Sequence, residues 1–308
     1  MVQQTQARVP GPAPRTRDAV PHGQAPDPTL HLPRILCLHG GGTNARIFRA
    51  QCRVLRARLA SSFRLVFADA PFPSRPGPDV ESVYAAWGPF RSWLPPAPGG
   101  GEGPAAFVDT IDTAAAQHID RCLEAAMRED DKAGGTGRWV GLLGFSQGAR
   151  MAASLLWRRQ QQGQKLFQRR RSQGREWEGW AAETSRGGFA DHWVGQTTTT
   201  MVTTTDFRFA VLLAGRGPLV AVGPDMKLEG PGLLWLPTIH VHGLRDPGLA
   251  MHRELLYRCC GSGSTRLIEW DGDHRVPIRT GDVEAVVSEI LHVAQVAGVA
   301  ARAEEVDS

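Results

Sequence analysis

Short, continuous apolar runs recur along the chain and alternate with stretches of helical periodicity. Such a run suits a strand that is buried on both faces, as in a parallel sheet covered by helices. The runs that predict strands are residues 34–38, 64–68, 139–145, 209–213, 238–242 and 265–270. Helices are predicted over about 45–59, 107–128, 147–159, 249–259 and 283–297. This alternation implies right-handed βαβ units, so we expect an α/β fold with a mostly parallel central sheet and helices on both faces.

The composition is that of one large domain with polar ends. With 308 residues, 42% of them hydrophobic, the chain can bury one large core. Residues 1–32 are rich in Pro, Gly, Gln and Arg and carry few large apolar side chains, which predicts a disordered tail. We therefore expect a single domain over residues 33–300 and a C-terminal tail over residues 301–308.

Residues 160–206 interrupt this domain with a polar segment that is rich in arginine and glutamine and ends in a threonine cluster. Its composition is compatible with a lid, with a disordered insertion, or with sequence that does not belong in the mature protein. The composition does not choose among these three alternatives.

Residues 71–104 carry many prolines and glycines and predict a second long irregular segment. Loops of that length are usually functional or disordered. The aromatic side chains Trp87, Phe90 and Trp93 favour an ordered loop that lines a pocket.

The charge pattern excludes the nucleic-acid-binding class. The formal net charge is +4, but much of the arginine lies in the N-terminal tail and in residues 168–175. A charge run of this kind is usually a solvated segment, and basic residues do not alternate with aromatic ones over a predicted folded surface. We expect no nucleic-acid partner.

The cysteines and the apolar segments indicate the compartment. The five cysteines form an odd set without CxxC spacing, which argues against a disulfide framework and a structural zinc site. The N-terminus has no apolar core of a secretory signal, and no stretch approaches about 18 consecutive apolar residues. We expect a cytoplasmic protein that does not enter a membrane.

The stretch Gly144-Phe-Ser-Gln-Gly148 lies between a predicted strand and a predicted helix. The pattern G-x-S-x-G in this context is that of a nucleophile elbow, in which the glycines allow a sharp turn and exposed serine. The alternative is a serine that caps the helix, and that role needs neither glycine. The rest of the chain must supply a base and an acid for Ser146 to act as a nucleophile.

A serine nucleophile on such a sheet is followed in the chain by an acid and then by a histidine, each after a late strand. Asp246 follows the strand predicted over 238–242, and His274 follows the strand predicted over 265–270. We therefore predict a triad of Ser146, Asp246 and His274.

Other histidines and acids compete for these roles. His240 and His242 lie within a predicted strand, so at least one is expected to be a core histidine. His252 and His292 lie on predicted helices as surface or core residues. The acids that fit less well are Asp271 and Asp273, which precede His274 too closely, and Asp282, which follows it.

An oxyanion hole needs two backbone N–H groups aimed at the developing negative charge. The residue after the nucleophile, Gln147, supplies the first in this turn. The second is expected from His39-Gly-Gly-Gly42 after the first strand, where we favour the Gly41 N–H with Gly42 as the alternative. This loop lacks the glycine and lysine spacing of nucleotide-binding motifs.

Four stretches carry a resemblance beyond these separate motifs. They are Ile35-Leu-Cys-Leu-His-Gly-Gly-Gly-Thr-Asn-Ala-Arg-Ile-Phe48, Gly144-Phe-Ser-Gln-Gly-Ala149, His240-Val-His-Gly-Leu-Arg-Asp-Pro247 and Trp270-Asp-Gly-Asp-His-Arg-Val-Pro277. In these stretches the chain resembles the fungal serine hydrolase family, which has the α/β-hydrolase fold. The resemblance covers most of the chain outside the N-terminal tail.

The resemblance implies an esterase or thioesterase that uses Ser146, Asp246 and His274 and needs no cofactor or metal. Many members of the family are encoded beside polyketide synthases, so the implied substrate is an acyl ester or a thioester on an acyl carrier protein. Trp87, Phe90 and Trp93 are then candidates for the wall of the acyl pocket.

The chain departs from the family pattern in residues 160–206 and at Asp273, where relatives usually carry glycine. Two other functions stay open. One is a general carboxylesterase or acyl-protein thioesterase with small substrates, and the other is a non-catalytic binding protein that retains the triad.

Overall fold

The computed structural model describes residues 27–78, 80–96, 110–172, 205–223, 226 and 233–299. Six strands form its central sheet, and every pair of neighbours is parallel. They are β1 (Arg34–Leu38), β2 (Arg64–Ala68), β3 (Trp139–Phe145), β4 (Thr205–Leu213), β5 (Thr238–Gly243) and β6 (Thr265–Trp270). Their order across the sheet is β6-β5-β4-β3-β1-β2. The expected α/β fold with a parallel sheet is confirmed.

The strand order places a crevice at the carboxyl ends of two central strands, β1 and β3. From β1 the chain moves outward to β2, and it later returns to β3 on the other side of β1. From β3 it continues in the opposite direction through β4 and β5 to β6. Connections that leave two adjacent parallel strands in opposite directions open a crevice at their carboxyl ends, where ligands of open α/β sheets bind. The loops after β1 and β3 border this crevice.

Helices cover both faces of the sheet. Alternate residues of β1 point to opposite sides, so Leu36 and Leu38 belong to one core cluster and Ile35 and Cys37 to the other. The helices on the first face are α3 (Thr113–Lys132) and α4 (Gln147–Ser172), and those on the second are α1 (Ala45–Gln51), α2 (Arg53–Leu59) and α6 (Thr280–Val296). A shorter helix, α5 (Leu249–Glu254), continues into a π-helical turn, Leu255–Cys259.

The remaining elements are short. Helical turns at Glu81–Tyr84 and Ala85–Trp87 lie in the segment predicted as a long loop. Two-residue strands form small ladders beside the main sheet, and these are Phe72–Pro73 with Arg91–Ser92 and Thr110–Ile111 with Ala221–Val222. No helix among the described residues has both the length and the apolar character that a membrane crossing requires.

The predicted strands are confirmed, although β4 begins four residues earlier, at Thr205, than the apolar pattern indicates. The helix predicted over 45–59 is divided at Cys52. The helix predicted over 107–128 begins instead at Thr113, because the Asp112 side chain accepts a hydrogen bond from the Ala115 N–H at 2.7 Å.

The predicted end of the helix near residue 159 is wrong. Helix α4 continues to Ser172, through the first part of the segment interpreted as an insertion. Gln160 is buried, and its side chain donates to Leu233 O at 2.6 Å and accepts from Trp235 N at 2.8 Å. Gln, Lys and Arg are good helix formers, so their polarity does not end a helix. Residues 173–204 lie outside the described residues.

The predicted tail is also too long. Leu30 O accepts a hydrogen bond from Thr136 N at 2.7 Å, and Asp27 pairs with Arg64 at 2.6 Å. Residues 27–32 therefore pack on the domain, because these polar contacts fix a segment that has few apolar side chains. Residues 1–26 and 300–308 lie outside the described residues.

An ionic cluster closes the amino end of the sheet. The Arg34 guanidinium lies 4.1 Å from the centre of the Trp139 ring and 3.2 Å from the Asp130 carboxylate. Arg64 pairs with the same carboxylate at 2.8 Å. Arg34 also pairs with Asp131, which is half exposed. The side chains of Arg34 and Asp130 are only 7% and 6% exposed, so Asp130 is the buried partner of Arg34.

We predict that Asp130→Ala lowers the free energy of unfolding by about 3 kcal/mol, because the buried Arg34 charge loses its buried partner. The control is Glu284→Ala, which breaks the exposed pair with Arg58 and should change it by less than about 1 kcal/mol. Urea unfolding followed by circular dichroism measures both variants. Equal losses of unfolding free energy in the two variants would show that the buried pair contributes no more than the exposed one.

Candidate active site

Ser146 lies on a strained turn between β3 and α4. Its φ angle is 54°, in the left-handed region that side chains other than glycine rarely adopt. A Cβ atom on Gly144 would overlap the backbone of Gly148, and one on Gly148 would overlap the carbonyl oxygen of Leu38. Both glycines are therefore required for the close approach of strand, turn and helix. This is the geometry of a nucleophile elbow.

The Ser146 hydroxyl does not cap the helix that it precedes. Its Oγ lies 2.9 Å from His274 Nε2. On the other side of the ring, His274 Nδ1 lies 2.6 Å from Asp246 Oδ2. The structure therefore brings the three predicted residues into one hydrogen-bonded line, and the capping alternative for Ser146 does not hold.

Asp246 is held by its own turn. It follows β5, and its Oδ1 accepts a hydrogen bond from Gly248 N at 2.7 Å. The Asp246 side chain is 0% exposed, whereas that of His274 is 21% exposed. The acid is thus buried behind a base that reaches the crevice.

The competing acids near His274 have a different partner. Arg245 pairs with Asp271, and its Nε lies 3.3 Å from Asp273 Oδ1. Both carboxylates are more than half exposed, so they form surface ion pairs with Arg245 and neither is the buried acid of the triad. The unusual charge of Asp273 beside His274 is therefore partly balanced by Arg245.

The loop after β1 presents the Gly41 N–H. The Gly40 carbonyl accepts hydrogen bonds from His39 Nδ1 at 2.8 Å and from Thr43 Oγ1 at 2.6 Å. In a trans peptide the C=O and the following N–H point in opposite directions, so these bonds aim the Gly41 N–H away from His39 and Thr43. None of the described residues accepts a hydrogen bond from it.

The same loop excludes the alternative donor. The Gly42 N–H donates to Arg91 O at 2.9 Å and is therefore occupied. Gln147 is the first residue of α4, so its N–H has no acceptor within the helix. The free N–H groups of Gly41 and Gln147 are the pair that the sequence predicted for an oxyanion hole.

Trp93 does not line a pocket, contrary to the prediction. It is 0% exposed, and its indole N–H donates to His39 O at 2.8 Å. Its backbone N–H donates to the Gln147 side chain at 2.8 Å. Trp93 therefore stabilises both the loop that contains Gly41 and the first residue of α4. An aromatic residue in a proline-rich segment signals a pocket and a core equally well, and the sequence could not separate the two.

The other two candidates for the pocket wall lie closer to the surface. The Trp87 ring is covered by the Arg46 guanidinium at 4.0 Å and by the edge of Tyr84 at 5.2 Å. Trp87 therefore contacts α1 and a neighbour in its own loop, and these contacts do not involve the residues around Ser146. Phe90 is partly buried, and its role in a pocket stays a prediction.

His39 is a site residue that the sequence indicated only as part of a glycine-rich motif. Its Nε2 accepts a hydrogen bond from Ala70 N at 3.0 Å, which leaves the proton on Nδ1 for Gly40. Burial lowers the pKa of His39 to about 4, so the ring is neutral at pH 7. A histidine directly before three glycines, at the end of a buried strand, was the available signal.

Three further histidines are buried in β5 and α5, and one of them lies beside the acid of the triad. His240 and His242 both face the interior, and His240 bonds to Thr238 Oγ1 at 3.1 Å. His252 of α5 is 0% exposed and lies 3.6 Å from Asp246 Oδ2. Its place beside the acid was not predicted, because periodicity alone does not show which core residues a helical histidine meets.

One group among the described residues offers three metal-ligating atoms, from Asp246, His252 and His274, all within 4.8 Å of one another. Tetrahedral zinc separates its ligand atoms by about 3.3 Å. Asp246 and His274 lie 2.6 Å apart, which is the distance of a shared proton rather than of two metal ligands. We therefore interpret Asp246 and His274 as a hydrogen-bonded pair, with His252 beside them at 3.6 Å from Asp246 Oδ2.

The parallel sheet, the elbow at Ser146 and the line to His274 and Asp246 define a hydrolase of the α/β-hydrolase fold. The chain matches the family model described as Serine hydrolase (FSH1) over residues 29–286. This protein therefore belongs to the FSH1 serine hydrolase family.

Named relatives share most of the chain. A "Probable esterase" of Aspergillus terreus is 56% identical over 270 residues, which are 87% of this chain and 91% of that protein. The "Probable esterase afoC" of Emericella nidulans is 50% identical over 296 residues, covering 86% of this chain and 91% of that protein. Among solved structures, the carboxylesterase of Bacillus cereus matches with a TM-score of 0.45 and 16% identity, covering 88% of this chain and 92% of that one.

The buried histidines predict a loss of stability in acid. Burial lowers the pKa of His39 and His242 to about 4 and that of His240 to about 3, against the ordinary 6.5. As the pH falls below 6.5, the unfolded chain therefore binds protons before the folded one does. The contribution of these histidines to the free energy of unfolding is complete above pH 6.5. As the pH falls from 6.5 towards 4, each histidine lowers this free energy by about 1.4 kcal/mol per pH unit.

Urea unfolding between pH 4.5 and 7.5 measures this slope. The variant His240→Gln should reduce the slope by about 1.4 kcal/mol per pH unit, which corresponds to one bound proton. The exposed His292 supplies the control for removing a histidine that is not buried, and the slope should fall less in His292→Gln than in His240→Gln. Parallel slopes in all three proteins would contradict the assignment.

Proposed function

We propose that this protein is an esterase or thioesterase that cleaves an acyl ester, or a thioester bound to an acyl carrier protein, in polyketide biosynthesis. The observation that carries the hydrolytic part is the line from Ser146 Oγ through His274 to the buried Asp246, at 2.9 and 2.6 Å. The carrier-bound substrate is supported by the resemblance to esterases and thioesterases that are encoded beside polyketide synthases.

In the first step, His274 Nε2 takes the proton of Ser146 as Oγ attacks the acyl carbonyl carbon. The resulting imidazolium is stabilised by the Asp246 carboxylate, which keeps its charge. Collapse of the tetrahedral intermediate expels the alcohol or thiol, to which His274 returns the proton. An acyl group then remains on Ser146.

In the second step, water attacks the acyl-enzyme with His274 again acting as the base. The acid leaves and Ser146 regains its proton. In both steps the carbonyl oxygen becomes an oxyanion, and the N–H groups of Gln147 and Gly41 are the proposed donors to it. Because His39 and Thr43 already hold the Gly40–Gly41 peptide, the Gly41 donor needs no reorientation during the reaction.

We further propose that the reaction takes place in the cytoplasm. All five cysteines are free, and four of them are buried in the domain. Such thiols fit a reducing compartment such as the cytoplasm.

We predict that Ser146→Ala abolishes both labelling by a fluorophosphonate probe and hydrolysis of p-nitrophenyl acetate, by about 10⁴-fold or more. The matched control is Ser172→Ala, at the exposed end of the same helix, which should keep both. Gel fluorescence and absorbance measure the two activities. Labelling that survives in Ser146→Ala would reject this serine as the nucleophile.

We also predict that kcat/KM for an acyl chain on a carrier protein exceeds that for the same chain on p-nitrophenol by about tenfold or more, because a carrier adds binding contacts. Mass spectrometry of the carrier measures release of the acyl chain. An equal preference for short p-nitrophenyl esters would instead support a general carboxylesterase.

A further inference from the structure

The Asp246 carboxylate has a third neighbour besides Gly248 and His274. Oδ1 accepts from Gly248 N at 2.7 Å and Oδ2 from His274 Nδ1 at 2.6 Å. The Nε2 atom of His252 lies 3.6 Å from the same Oδ2, just beyond hydrogen-bond distance. An ionised carboxylate can accept about four hydrogen bonds, and a buried one is costly to leave short of donors.

The local backbone directs His252 towards Asp246. Gly248 precedes the first residue of α5, and the His252 N–H donates to Gly248 O at 3.2 Å. Helical side chains lean towards the amino end of their helix, so the ring of His252 lies over the turn that Asp246 begins. Asp246 therefore stabilises the turn at Gly248, and this turn leads into the helix that places His252 beside Asp246.

Both ring nitrogens of His252 lack a hydrogen-bond partner among the described residues, although the side chain is 0% exposed. A buried polar group without a partner destabilises the folded state, so a donor this close to a carboxylate is expected to bond to it. A shift of under 1 Å would bring Nε2 within hydrogen-bond distance of Asp246, and such contacts often tighten when a substrate binds.

The surroundings keep His252 uncharged. Burial lowers its pKa to about 4, and Arg216, His242 and His274 act in the same direction, while Asp246 opposes them. These are the charged and titratable groups that face the ring, from the loops after β4, β5 and β6 and from β5 itself. A neutral imidazole can donate one N–H to the acid without cancelling the charge that His274 requires.

We propose that His252 is a positioning residue for the acyl transfer, which donates Nε2–H to Asp246 Oδ2 and holds the ionised carboxylate towards His274. This inference rests on the proposed function of Ser146, His274 and Asp246. The donor acts when His274 carries the proton of Ser146, because Asp246 then has to keep its negative charge in a buried site.

Three substitutions of His252 separate this role from packing. His252→Leu removes the donor, His252→Gln places an amide N–H near the position of Nε2, and His252→Asn carries an amide that stops short of it. The matched control is His240→Leu, which removes an equally buried histidine that bonds to Thr238. Rates are measured with p-nitrophenyl acetate from pH 5 to 9, beside thermal melting.

We expect His252→Leu and His252→Asn to lower kcat about 10- to 100-fold, with KM changed by less than about threefold. The acidic limb of the kcat/KM profile should move to higher pH, because a carboxylate that has lost a donor binds a proton more readily. His252→Gln should recover most of kcat and the original profile. His240→Leu should melt at a lower temperature and keep the wild-type profile.

Equal activity of the Gln and Asn variants would overturn the proposal, and so would an equal displacement of the pH profile in His240→Leu. If His252→Leu does not fold, the comparison of Gln with Asn still decides. A wild-type protein that neither hydrolyses esters nor labels with a fluorophosphonate would reject the proposed function itself. An active wild type with unaffected His252 variants would reject only the role of His252.

Discussion

The site depends on one close backbone contact, between Gly148 and the carbonyl oxygens of Leu38 and His39. This contact presses the start of α4 against the end of β1, so the turn that carries Ser146 lies beside the loop that carries Gly41. The turn is strained, with a φ of 54° at Ser146, and it is held by the Ser146 N–H bond to Leu213 O at 2.9 Å. Strain of this kind persists only where the surrounding structure fixes the backbone.

Neutral buried histidines form the support around this contact. His39 fixes the Gly40–Gly41 peptide on one side of Ser146, and His252 lies against Asp246 on the other. Burial lowers the pKa of both rings to about 4, so each can donate a proton without adding charge. Neither ring therefore adds a charge beside Asp246 and His274. The buried acid is screened little by solvent, which strengthens its effect on His274.

Much of this arrangement was predictable, since it follows from local patterns. Continuous apolar runs indicated all six strands, and chain order identified Ser146, Asp246 and His274. Boundaries were less predictable where polar residues form regular structure. Helix α4 passes through Gln160 and ends at Ser172, because helix propensity and a few buried amide contacts suffice to extend it. Trp93 was misjudged for a related reason, since an aromatic side chain suits a pocket wall and a core equally well.

The sequence by itself determined the order of strands and helices, the elbow glycines and the identity of the three residues in line, because each depends on neighbours in the chain. Only the tertiary structure decided which N–H groups stay free and which buried histidine meets the acid. The Gly42 N–H is occupied by Arg91 O, and His252 reaches Asp246 across a turn. The first outcome depends on a contact between segments that are far apart in the chain, and the second on the geometry of the turn after Asp246. Hydrophobic periodicity and motif spacing encode neither.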